Sequence, residues 1–229
     1  MADYADRAQK LIGQRGILVP WSWAGVYNQA ASLRDPQELL VDAYEEPERY
    51  EALMEFLTDK TIEYTLRLAQ TAVDAVGLQG NMANGAMMGK TFFDEWILPY
   101  EARLVAAVHS CGRPVVYHNC GCARNLLPSY VEMELDAWET VAQAPQGDND
   151  LRAAKEQVGE KLILIGNIDQ VHFLKTASEA EVRERTAEIV QIGKTGGNYI
   201  FAASDFLEKG TPVENIRASI AAAKEAGKY

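Results

Sequence analysis

Apolar residues along this 229-residue chain follow two rhythms. In EPERYEALMEFLTDKTIEYTLRLAQ, from residue 46, the positions Leu53, Phe56, Leu57, Ile62, Leu66 and Leu68 recur at helical spacing. They predict an amphipathic helix running close to Thr71. Ahead of it RDPQELL supplies a helix start, with Asp35 as cap, Pro36 at the first position and Glu38 to close the box. Ser178 with Glu181 opens another helix by the same rule, and Thr211, Pro212 and Glu214 start a last one that ends near Gly227. Residues 91–110 and 150–159 also read as helical, the former with a kink or junction at Pro99.

The second rhythm is a series of short apolar runs between turn residues. VDAVGLQG at 73–80, PVVYHNCG at 114–121, KLILIGNID at 161–169 and GGNYIFAASD at 196–205 read as strands leading into loops. LDAW at 135–138 is a shorter apolar element after an acidic helical segment, and NMANGAMMGK reads as a loop. GILVP at 16–20 reads as a buried strand or a terminal extension. From residue 73 onward strand, loop and helix alternate about five times, which argues for parallel βα units. No linker or repeat breaks the pattern, so a single domain over residues 1–229 is expected.

Composition refines this picture. Hydrophobic residues make up 48% of the chain, enough for one substantial core, and the formal net charge is -11. Such a field opposes attachment to nucleic acid and to anionic lipid. Basic patches interleaved with aromatics are missing, as are phosphate-binding glycine loops, H-E-x-x-H and G-x-S-x-G. The polar start MADYADRAQK predicts no signal peptide, and no run approaches the roughly 18–20 apolar residues of a membrane span. The expected setting is cytoplasmic. Three cysteines, two of them one residue apart, suit a reducing compartment rather than a disulfide framework.

The chemistry concentrates in VYHNCGCARN at 116–125. Alternate residues of a strand share a face, so His118 and Cys120 project together, and Gly121 can turn the chain to bring Cys122 nearby. Imidazole nitrogen and thiolate sulfur suit zinc, with bonds of about 2.0 and 2.3 Å. Inert packing of small thiols and a redox pair are the competing readings of the same residues, the redox pair weakened by the awkward geometry of a CxC disulfide.

V-x-x-H-x-C-G behind a Gly-x-Pro-Val strand resembles the signature of the uroporphyrinogen decarboxylase superfamily, most closely its cobamide-linked methyltransferase branch. The resemblance extends to DPQELL, FFDEWILPYEARLVAAVHSCGRPVVYHNCG, LILIGNIDQ and the C-terminal unit from GGNYIFAASD, covering residue 17 to the end. It implies a (β/α)8 TIM-type barrel, here incomplete or shortened at the N-terminus. It also implies a zinc-dependent methyltransferase that works with a corrinoid (cobalamin) carried by a partner protein. The small-molecule methyl donor is a methoxylated aromatic or a methylamine-like compound, and the acceptor is cobalt or a thiol. His118 and Cys120 match the branch's His-x-Cys metal pair. Its third ligand, a distant cysteine, falls on Ala202, Ala203 and Ser204. Cys122 is the expected substitute, with an oxygen of Asp205 or Glu101 as the alternative. The shortened barrel implies a homo-oligomer or a companion chain. A non-catalytic binding or scaffold subunit and a uroporphyrinogen decarboxylase-like lyase are the other readings.

Further candidates flank these ligands. Asn167 and Asp169 follow the clearest strand, where Asp169 can orient His118, hold substrate or cap a turn. Asp136 in LDAW is expected at the barrel mouth, as a substrate contact or as an ordinary cap. Trp21, Trp23 and Tyr27 can stack on an aromatic donor or a corrin ring, or form a core stripe, and Asn81 can line a pocket. Tyr117, Asn119, His109 and His172 read as structural.

Overall fold

A short apolar run between turn residues makes a strand of a parallel sheet, and each such run from residue 73 onward does so here. The protein, described for residues 2–228 by a computed structural model, has strands β1 (Val76–Gln79), β2 (Val115–His118), β3 (Ala137–Glu139), β4 (Ile163–Ile168) and β5 (Tyr199–Ala203). All pairings are parallel, and the order is β1-β2-β3-β4-β5. LDAW is therefore the start of a central strand.

The helices are α1 (Ala2–Ile12), α2 (Val26–Leu33), α3 (Pro36–Glu45), α4 (Pro47–Ala69), α5 (Gly89–Phe92), α6 (Leu98–His109), α7 (Leu127–Glu132), α8 (Leu151–Val158), α9 (Glu179–Lys194) and α10 (Val213–Ala226). None is long and apolar enough to cross a membrane. The expected helix over 91–110 is instead α5 and α6 joined by a π-helical turn, Phe93–Ile97, with Pro99 in the first turn of α6. There the missing N–H of proline breaks no helical bond. The polar N-terminus forms α1, held by Gln9, whose amide donates to Asp74 at 3.3 Å.

Two helix starts test the capping rules. At α9 Ser178 and Glu181 form the reciprocal box. At α3 Asp35 accepts from the Gln37 and Glu38 N–H groups, but Glu38 turns away to Arg34 at 3.0 Å, so the expected box stays open. On α4 the buried face is Tyr50, Met54, Leu57, Thr61 and Leu68. Phe56, counted by its spacing as a core residue, is 59% exposed.

GILVP is neither a free extension nor a full strand. The Asp74 and Gly77 N–H groups donate to the Leu18 and Pro20 carbonyls at 2.9 Å, and the Ser22 N–H donates to Gly77 at 2.8 Å. Trp21 bridges Gly77 in the parallel sense. Pro20 has no N–H to give, which suits a segment at a sheet edge. Among the described residues the sheet has two open edges, this segment and β5. Five βα units in sequential order form an arc of a (β/α)8 barrel.

Register divides the arc into two faces. Leu78, Val115, Tyr117, Trp138, Leu164 and Ile168 face the helices and are fully buried in the main core. The inner face carries Ala75, Val116 and Ala137, packed with Val19, Ile163 and Ile165 in a separate small cluster. His118 and Glu139 end the inner rows of β2 and β3.

Glu101 of α6 is fully buried among the outer helices. Its Oε1 accepts from the Tyr27 N–H at the start of α2, at 3.1 Å, and its Oε2 has no partner. Burial pushes this carboxyl up to about 7, against the opposing hydrogen bonds from the Tyr27 and Val26 N–H groups. A carboxyl raised in the folded state favours its neutral form there. Its contribution to stability is therefore fully present below 4.5, the ordinary value, and is lost as pH rises through about 7. The loss is on the order of 3 kcal/mol at about 1.4 kcal/mol per unit. Thermal melts between pH 4.5 and 8 should show this slope in the wild type and a flatter profile in Glu101→Gln; identical slopes would refute the assignment.

A three-donor cluster at the strand ends and the cleft beside it

Parallel strands end together, and three potential ligands meet where β2 and β5 end. His118 is the last residue of β2, Cys120 lies two beyond it, and Asp205 lies two beyond β5. One ligand atom from each lies within 4.8 Å of the others. Tetrahedral zinc with bonds of about 2.0–2.3 Å separates its donors by roughly 3.3–3.8 Å, so a small contraction of this cluster accommodates the ion.

His118 is held from two sides. Its Nδ1 lies 3.3 Å from Glu139 Oε1 at the end of β3, and its ring meets that of Trp21 edge-on, with centroids 5.8 Å apart. Trp21 reaches it only because residue 77 is glycine: a Cβ there would sit 2.4 Å from the indole. Burial works against a charged imidazole, but hydrogen bonds to Cys120 and Glu139, with their negative charges, outweigh it and push His118 up to about 10.

The structure separates the two neighbouring cysteines. Gly121 has φ +84°, and beyond it the Cys122 carbonyl accepts from the Gly85 N–H at 2.6 Å. Burial, with the negative charge of Asp148, pushes the Cys122 thiol up. Cys122 therefore stands outside the donor cluster, and Asp205 takes the third place. Glu101, the other oxygen considered, is committed to the start of α2.

The remaining candidates divide. Asp136 precedes β3 and lies at the other end of the sheet, where its Oδ2 accepts from the Val115 N–H at 2.7 Å and pairs with His109 Nε2 at 2.8 Å. It is a strand-start anchor, not a group at the mouth. Asp169 is at the correct end, but its Oδ1 caps a turn through the Val171 and His172 N–H groups, both at 2.8 Å. The partner of His118 is Glu139 instead. Asn167 lies buried on the inner face near the end of β4.

Tyr27 is fully buried, with its hydroxyl 3.3 Å from the Met88 sulfur, so it belongs to the core and stacks on nothing external. Asn81 is held by the Asn28 amide at 2.8 Å and braces the turn after β1. Trp23 is 71% exposed. The signal for Glu139 in the sequence is its place two residues after Ala137, which puts it beside His118 once LDAWE pairs as a strand.

Beside Cys120 and Asp205 opens a cleft of about 290 Å³, lined also by Asn84, Gln146, Gln170, Ser204, Phe206 and Glu208. No lysine, arginine or histidine lines it.

The family described as uroporphyrinogen decarboxylase (URO-D) matches residues 5–226. A methylcobamide:CoM methyltransferase, MtbA, of Methanosarcina acetivorans is 24% identical over 142 residues, covering 62% of this chain and 40% of its own. A uroporphyrinogen decarboxylase of Dichelobacter nodosus is 26% identical over 218 residues, covering 94% of this chain and 59% of its own. A solved methyltransferase from Methanosarcina mazei superposes with a TM-score of 0.83 at 17% identity, over 98% of this chain and 63% of its own. That likeness shows the shared barrel-type fold. The chain spans about half the length of the curated relatives it matches.

The position of Asp136 can be tested directly. Asp136→Ala should lower stability by about 1–2 kcal/mol, because it frees the Val115 N–H and His109, while leaving metal uptake unchanged. Calorimetric melting and metal titration check both parts; loss of metal at unchanged stability would return Asp136 to the site.

Proposed function

The chain belongs to the uroporphyrinogen decarboxylase (URO-D) family, and from that premise we propose that it is a metal-dependent methyltransferase. It moves a methyl group between a small donor and a corrinoid carried by a partner protein, or a thiol. The observation that carries this reading is the convergence of His118, Cys120 and Asp205 at the ends of β2 and β5. A nitrogen, a sulfur and a carboxylate oxygen suit zinc, and three protein ligands leave one position for substrate. The bound ion supplies Lewis acidity at the heteroatom that carries or receives the methyl group.

The chain's own residues do the positioning. Glu139 accepts from the Nδ1–H of His118, which fixes the tautomer and leaves Nε2 for the metal. Trp21 packs edge-on against the same ring and limits its rotation. Trp21 and Trp23, 41% and 71% exposed, offer indole surface for a corrin ring. The matched methylcobamide:CoM methyltransferase supports the corrinoid partner, and the setting proposed is the cytoplasm.

The open edges at residues 18–22 and at β5 favour a second reading, a binding or scaffold subunit completed by a companion chain or a second copy. The lyase reading gains less, because a multiply carboxylated tetrapyrrole finds no cation in the cleft.

Metal analysis of protein purified without added metal separates these readings. Close to one zinc per chain is expected. His118→Ala, Cys120→Ala and Asp205→Ala should each lose it, whereas Cys122→Ala keeps it. Methyl transfer to cob(I)alamin should be lost in His118→Ala. Folded wild-type protein that neither carries nor takes up zinc would remove the methyltransferase reading and leave the binding subunit and the lyase.

A further inference from the structure

Ligation of a metal by Cys120 and Asp205 uses only one wall of the cleft. The rest of the lining holds polar atoms that bond to nothing. Gln170 is 4% exposed and Ser204 1%, yet neither Gln170 Oε1 nor Ser204 Oγ has a hydrogen-bond partner. Gln146 Oε1, on the loop after β3, is likewise buried and unpartnered. Buried polar atoms are almost always satisfied, so three around one hollow point to a ligand that completes them.

Charge narrows the ligand. The lining carries Asp205 and Glu208 and no basic side chain. A divalent ion held by the Cys120 thiolate and Asp205 is neutralised by those two ligands, which leaves Glu208 as the uncompensated charge. Phe206, 74% exposed, adds an aromatic ring to the same lining. Amide oxygens accept N–H donors, a carboxylate attracts a cation, and an aromatic ring binds methylated ammonium groups. The lining itself gives an anion no counter-charge. The volume is at the small end of the range for ligand pockets, about 300–1,000 Å³.

We infer that this cleft is a subsite for a small alkylated ammonium ion. Each N–H it carries donates to one of the unpartnered oxygens, its charge faces Glu208, and its methyl groups pack on Phe206. The inference rests on the methyltransferase reading and deepens it: of the two donor classes, it selects the amine over the methoxylated aromatic.

Calorimetric titration of the whole chain, zinc-free and zinc-loaded, tests this with trimethylammonium and dimethylammonium as probes. tert-Butanol serves as the neutral counterpart of trimethylammonium, isobutyrate as the anion and 2-methoxyphenol as the competing class. Saturable binding of both ammonium ions is expected, at least tenfold tighter than tert-butanol, with none for isobutyrate. Glu208→Gln and Phe206→Ala, substitutions at partly or fully exposed positions, should each weaken trimethylammonium at least threefold; Gln170→Leu should do so more strongly, at an unchanged melting temperature. Absence of ammonium binding, equal binding of tert-butanol, tighter binding of 2-methoxyphenol, or wild-type affinity in both Glu208→Gln and Phe206→Ala overturns the inference. Ammonium binding by a chain that takes up no zinc would keep the subsite and remove the methyltransferase reading. Zinc-dependent methyl transfer without ammonium binding would do the reverse.

Discussion

Parallel pairing of five consecutive strands is the constraint on which the site depends. It brings every strand to its C-terminal end on the same side, so residues far apart in the chain meet there without any contact having to be built separately. His118 and Glu139 are direct register partners across β2 and β3, and β5 delivers Asp205 to the same end. The same geometry separates this end from Asp136 and His109, which anchor the strand starts. A substitution that slipped β3 by one residue would turn Glu139 away from the imidazole and put Trp138 in its place.

Register alone does not hold a loop, and here the loop after β2 is fixed from behind. The Trp138 indole donates to the Asn119 carbonyl at 3.1 Å, the Asn119 N–H donates to Glu139 at 2.9 Å, and the Asn119 amide donates to Ala83 at 3.1 Å. Asn119 is fully buried and thus links three strand ends between the two candidate ligands. Below it Tyr117, Tyr130 and Trp138 form a contiguous aromatic layer, with ring centroids 5.6–5.7 Å apart. Aromatic packing of this kind is stiff and limits how far His118 and Cys120 can move relative to β3.

Electrostatics divides the molecule by depth. The net charge of -11 is carried mostly at the surface, where ion pairs such as Arg103–Glu55 are exposed to solvent and worth little. At the strand ends, by contrast, Cys120, Glu139 and Asp205 gather around a single imidazole, and the adjoining cleft carries Glu208 and no basic side chain. That bias favours cations at the site, whether a metal ion or a charged substrate, and disfavours multiply anionic ligands.

Local pattern was enough for the barrel-type alternation, for the capping box at Ser178 and Glu181, and for placing His118 and Cys120 at a strand end. Each of these is encoded within a window of a few residues, where periodicity and turn chemistry operate. The third donor was not encoded that way. Cys122 is adjacent in sequence but is carried off by the turn at Gly121, whereas Asp205, 85 residues beyond Cys120, arrives through the pairing of β4 with β5. Tyr27 and Trp21 show the same division. Both stand in one aromatic-rich stretch, yet one side chain enters the core and the other faces His118. Composition and spacing are properties of a segment, but which face is buried and which distant residue lies opposite are set by packing between elements, and only the tertiary structure decides them.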